Sequence, residues 1–108
     1  LGRRTRTSFE PSGEPLDGTV WGYPVPACWH AEAPEWLGLA RAVLEARGSL
    51  SVMELGAGYG PWLVSAAVAA RLNGITDLRL VGVEADAGRF ARMRQHFLDN
   101  DLDPDAHT

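Results

Sequence analysis

The chain has 108 residues, 45% hydrophobic and 22% charged, a globular balance with room for one domain. Ten Arg, no Lys and fourteen Asp plus Glu leave a net charge of −4, which excludes a general nucleic-acid binder with a basic face. The single Cys28 excludes an internal disulfide framework and a multi-cysteine zinc site, and no apolar run is long enough to span a membrane.

One free thiol fits a reducing, cytoplasmic setting. Leu1-Gly2-Arg3-Arg4 carries neither an initiator Met nor an apolar signal core, so the chain is expected to begin, and to end, inside a longer reading frame. Residues 1–33 hold Pro11, Pro15, Pro24 and Pro26 with four glycines and no apolar period, which predicts a loop-rich extension. Within it Val20, Trp21, Tyr23 and Val25 could form a short lid. Arg3, Arg4 and Arg6 read as a solvated, frayed terminus in preference to a phosphate contact.

From Pro34 the pattern turns helical. Trp36, Leu39, Ala40, Val43 and Leu44 recur at three- and four-residue steps, Arg47 falls in the last turn and Gly48 supplies the stop. Leu50–Leu55 is short and mostly apolar, as a buried parallel strand is. Gly56-Ala57-Gly58-Tyr59-Gly60 is a glycine turn, and Pro61 opens a second helix through Leu72, ended by Asn73-Gly74.

Leu78–Val83 is a second strand. Asp86 can cap a third helix with Phe90, Met93 and Phe97 on one face and Asn100 near its end. The last eight residues, with Asp101, Asp103, Asp105 and Pro104, read as a polar loop, and His96 as a solvated or interface side chain.

Strands alternating with helices predict an α/β fold with a parallel sheet. Residues 34–108 provide only two strand–helix units, so the expectation is a partial Rossmann-like fold, truncated after the second, with Leu80, Val81 and Val83 on an incompletely covered sheet.

A glycine turn at the carboxyl end of a parallel strand lets a ligand approach bare backbone, and the following helix aims its free N–H groups at the same place. A P-loop would need a Lys, and there is none. A dinucleotide fingerprint, G-x-G-x-x-G, would place its third glycine one residue later than Gly60. Glu84 stands 24 residues past Gly60 at the second strand's end, where a carboxylate can accept from both hydroxyls of a ribose. Glu54 beside the turn argues against a pyrophosphate on grounds of charge.

The remaining pattern, E-x-G-x-G-x-G on Glu54, Gly56, Gly58 and Gly60, resembles the first motif of class I S-adenosylmethionine-dependent methyltransferases. Trp29-His30-Ala31-Glu32, Glu35-Trp36, Met53-Glu54-Leu55-Gly56-Ala57-Gly58-Tyr59-Gly60-Pro61-Trp62, Val81-Gly82-Val83-Glu84-Ala85-Asp86, and Arg94-Gln95-His96-Phe97 with Asn100 look like the FkbM family within that class. The likeness covers residues 29–104. It implies S-adenosyl-L-methionine as cofactor and methyl transfer to a hydroxyl oxygen of a small-molecule or saccharide acceptor; the charge balance and the lack of a long apolar run add the expectation of no nucleic-acid or membrane partner.

It further implies that Glu54 faces the methionine ammonium and Glu84 the ribose. Gly56, Ala57, Gly58, Tyr59, Gly60 and Asp86 complete the candidate cofactor site, although Asp86 serves equally as a helix cap and Tyr59 as a cover for the core. No residue presents itself as the catalytic base. His30, Glu32 and Glu35 have a metal-like spacing without a further ligand, and the reading is no metal. The four tryptophans read as core and interface anchors. Two other functions remain open from the residues: an NAD(P)-binding oxidoreductase fragment, and a non-catalytic interaction module derived from a methyltransferase.

Overall fold

The computed structural model describes residues 2–9, 17–20 and 32–107. Trp21, Tyr23, Val25, Cys28, Trp29 and His30 lie outside these residues, and Val20 is 99% exposed. In chain order come a single 3-10 turn, Thr7–Phe9, then α1 (Ala33–Glu45), β1 (Ser49–Leu55), α2 (Pro61–Leu72), β2 (Asp77–Val83) and α3 (Ala87–Asp99). β1 and β2 pair in parallel, in register from Ser49 opposite Asp77 to Leu55 opposite Val83, with α2 as the crossover between them.

Helix α2 is almost wholly apolar and buries Leu63 to Ala67, Ala69 and Ala70. Its small side chains let two helices approach. On one flank, Val43 of α1 packs with Leu50, Ala66, Ala70 and Ile75. On the other, Met93 and Phe97 of α3 pack with Leu63, Ala67 and Leu80. Gly82 makes the second contact possible: a Cβ there would lie 2.5 Å from Met93 Sδ and 3.0 Å from Leu63 Cδ1.

Each strand turns alternate residues toward these helices, as the pleat requires. Leu50, Val52, Leu78 and Leu80 pack beneath the helices, while Met53, Leu55 and Val83 are 64%, 73% and 51% exposed on the opposite face. Neither strand is therefore buried on both faces among the described residues. The sheet is incompletely covered, as expected, and within it Leu80 is buried at 1% exposure because it follows the even-numbered, helix-covered face.

The ends of the helices follow local chemistry. α1 stops at Glu45, earlier than the expected Arg47, with Ala46 already extended; the Arg47 guanidinium instead donates to the carbonyls of Leu44 and Ala46. α2 ends where expected, at Leu72, with Gly74 left-handed at φ 77°. α3 begins on Asp86, whose Oδ1 accepts from the Arg89 N–H at 2.7 Å.

Three expectations need correction. Residues 3–9 are no frayed terminus: they lie along α2 and α3, with Phe9 buried. His96 is completely buried, not solvated. The tail after α3 is not uniformly polar, because Leu102 and Pro104 are buried and Arg71 donates to the carbonyls of Asn100 and Asp101.

Candidate cofactor site

The register brings the carboxyl ends of β1 and β2 side by side, Leu55 against Val83. Between β1 and α2 the chain reverses within five residues, and Gly56, Gly58 and Gly60 take φ of 69°, 57° and 70°. Side chains disfavour that left-handed conformation by roughly 1–2 kcal/mol per residue. The three glycines differ in what surrounds them. A Cβ at Gly56 or Gly58 would meet no atom within 4 Å, so their backbone is bare toward the outside. At Gly60 a Cβ would lie 2.8 Å from Met93 Cγ, so the missing side chain at this glycine makes room for α3.

The turn is tied to the end of β2. The N–H groups of Gly56 and Ala57 both donate to the Val83 carbonyl, at 2.8 and 2.9 Å, and the Gly60 N–H donates to Ala57 O at 2.7 Å. Ala57 itself is buried in the core. The Gly58 N–H donates to Glu84 Oε2 at 2.7 Å, while Glu84 Oε1 accepts from the Asp86 N–H at 2.8 Å. These N–H groups, Asp86 first and then Gly58, hold the Glu84 carboxyl below its ordinary range. Each oxygen keeps a lone-pair direction for one more donor.

Glu54 lies on the helix-facing side of β1, half-buried under the start of α2. Its Oε2 accepts from the Leu63 N–H at 3.1 Å. Loss of water pushes its carboxyl up to about 7, against the opposing pull of the Leu63 and Trp62 N–H groups and the Arg3 charge. A carboxylate therefore already sits on the positive end of α2, whose first residue, Pro61, has no N–H.

The Tyr59 ring packs 5.6 Å from Phe9 and 5.4 Å from His96 between centroids. Asp86 is exposed and engaged as the cap of α3. The fold thus brings Glu54, Glu84 and the bare glycines to one end of the sheet, and assigns Ala57, Gly60 and Asp86 packing and capping contacts. Among the described residues no group of three His, Cys, Asp or Glu is arranged to hold a metal, and Glu32 and Glu35 are exposed. Trp36 and Trp62 meet edge to face at 5.0 Å.

A groove of about 390 Å³ between α1 and β1 is lined by Leu39, Val43, Leu50, Val52, Met53 and Trp62, and no residue of the glycine turn lines it.

The residue that sequence reasoning missed is His96. Its Nδ1 lies 3.0 Å from the Tyr59 carbonyl and its Nε2 3.0 Å from Thr5 Oγ1. The signal was present: Met93, His96, Phe97 and Asn100 follow at three- and four-residue steps, so His96 shares the buried face.

These features define an α/β unit with two parallel strands and flanking helices, compatible with part of a Rossmann-like fold, with the candidate site at the strands' carboxyl ends. No family model matches the chain, and no solved structure matches it. The chain is similar to a protein of Jannaschia sp. (strain CCS1) named "Putative methyltransferase", with 39% identity over 87 residues. That match takes in 80% of this chain and 31% of the relative's length.

Proposed function

We propose that the chain is the cofactor-binding part of an S-adenosylmethionine-dependent methyltransferase, one that methylates a hydroxyl oxygen of a small-molecule or saccharide acceptor. The observation that carries this reading is Glu54 on the amino end of α2. A pyrophosphate needs that helix end and the turn's N–H groups open. Here the amides of Gly56, Ala57, Gly58, Gly60 and Leu63 are all engaged within the chain, and the helix end already faces a carboxylate. Adding phosphates would set like charges together. A ligand with an ammonium group and a ribose suits the same residues. The likeness to the named methyltransferase supports the choice.

In this reading the bare backbone at Gly56 and Gly58 receives the cofactor, Glu54 faces its ammonium and Glu84 accepts from the ribose hydroxyls with its remaining lone pairs. The cofactor supplies an electrophilic methyl on sulfur. The protein's contribution is to fix donor and acceptor in line and to exclude water.

Thermal unfolding with S-adenosylhomocysteine, and separately with NADH, tests the proposal. A ligand at 100 times its Kd adds about 2.7 kcal/mol, which reads as a rise of several degrees. A rise with S-adenosylhomocysteine alone is expected. A rise with NADH alone overturns the reading in favour of an oxidoreductase, and no rise with either favours an interaction module.

A further inference from the structure

We propose that the amino-terminal arm, Arg3–Phe9, is a positioning element of the glycine turn, acting through His96. The inference rests on the cofactor reading above only for what the turn holds; the arm's grip on the turn stands on its own contacts.

His96 is wholly buried between two partners far from it in sequence, Thr5 and Tyr59. A carbonyl only accepts, so Nδ1 carries the proton and donates to Tyr59 O. Burial keeps the ring neutral, which leaves Nε2 to accept from the Thr5 hydroxyl. Arm, imidazole and turn form one hydrogen-bonded line. Phe9 reinforces it, with its ring centroid 5.6 Å from Tyr59 and 5.7 Å from His96.

The arm also holds the far side of the turn. Arg3 Nη1 donates to Pro61 O at 3.1 Å and to the buried Ser65 Oγ at 2.9 Å, beside the helix end that Glu54 occupies.

The arm's anchors lie away from the turn. Asn100 Oδ1 accepts from the Arg4 N–H and its Nδ2 donates to the Arg4 carbonyl, at 2.8 and 2.7 Å, as a neighbouring strand would. Arg6 grips Asp99 with two hydrogen bonds, at 2.6 and 2.8 Å, and Arg4 pairs with Asp101. A turn with glycine at three of five positions has much backbone freedom to lose. Restraining Tyr59 and Pro61 in advance removes part of that loss from ligand binding.

The test breaks the arm at a distance from the turn. Arg6→Asp and Asp99→Arg each set like charges together, and the double variant restores the pair with its polarity reversed. In the ligand-free full chain, amide exchange at Gly58 and Gly60 should quicken in both single variants and recover in the double, while exchange in β1 and β2 stays unchanged. Unchanged exchange at the turn in the single variants overturns the proposal. Should a single variant loosen the whole molecule, Thr5→Val decides, because it removes only the hydroxyl facing Nε2; exchange at the turn should again quicken, and normal exchange overturns the proposal.

Calorimetry with S-adenosylhomocysteine reads the consequence. An arm docked in one molecule of ten weakens binding about tenfold, and the double variant recovers it. Equal affinity in wild type and single variants overturns the role in ligand positioning. If wild type fails to bind while turn exchange responds as described, the cofactor reading falls and the arm's hold on the turn stands.

Discussion

Replacing Glu54 with Gln should make the protein more stable above neutral pH and at the same time impair cofactor binding. On folding, burial moves the Glu54 carboxyl from 4.5 to about 7. A carboxyl raised in this way is fully compatible with folding below pH 4.5, where both states are protonated. The folded state binds more protons than the unfolded between 4.5 and about 7, so stability falls with rising pH across that window and the full cost persists above it.

At about 1.36 kcal/mol per tenfold change the cost reaches about 3 kcal/mol. Glu54 is only half-buried, and screening by the remaining solvent reduces this to about 1–2 kcal/mol. Gln keeps an oxygen to accept from the Leu63 N–H without the charge. Urea unfolding of wild type and Glu54→Gln at pH 4.5 and pH 8 is the assay. The two should agree closely at pH 4.5, and the variant should gain about 1–2 kcal/mol at pH 8. His96 titrates in the opposite sense over part of this range, and taking the difference between the two proteins cancels it. A variant no more stable than wild type at pH 8 refutes the argument that burial outweighs the helix end and Arg3.

Cofactor affinity should itself depend on pH, since the pairing requires an ionised Glu54 and a protonated ammonium. With the former near 7 and the ammonium of a free amino acid still protonated there, binding should weaken about five- to tenfold between pH 8 and pH 6, as titration calorimetry would read; a flat profile removes Glu54 from the ammonium. Glu84→Ala should weaken S-adenosylhomocysteine about 10- to 100-fold through loss of a charged acceptor, and unchanged binding would take Glu84 out of the site. Gly58→Ala should cost about 1–2 kcal/mol from the left-handed backbone alone. Gly60→Ala should cost a further 1–3 kcal/mol, roughly, because it also displaces Met93, so equal losses on urea unfolding would contradict the packing described. Burial lowers the His96 imidazole to about 4, from 6.5. Folding stability therefore rises with pH between these values and falls on acidification, by up to about 3 kcal/mol; a His96→Gln variant should lose this dependence.

The order of elements and the position of the candidate residues at one end of the sheet were legible in the sequence because their causes are local. Glycines at 56, 58 and 60, Pro61 after them and Asp86 before α3 act within one turn of their own position. A period of two or of 3.6 residues separates strand from helix without reference to the rest of the chain. Glu54 and Glu84 could be placed together because parallel pairing of two consecutive strands is itself a near-neighbour relation.

Tertiary packing decided what no local rule contains. Which face of β2 is buried depended on the side to which α2 and α3 return, and this placed Leu80 inside and Val83 outside. Gly60 looked like its two neighbours in the motif, yet the approach of Met93 gave it a packing role. The arm, read as a solvated terminus from its arginines, is held by Asp99, Asn100 and Asp101 at the other end of the chain. Thr5 of the arm meets His96 across 91 residues of sequence, and His96 in turn meets Tyr59 across 37. Such pairings arise only when the core has already brought α3 beside the glycine turn, so pattern and propensity, which reach a few residues, contain no trace of them.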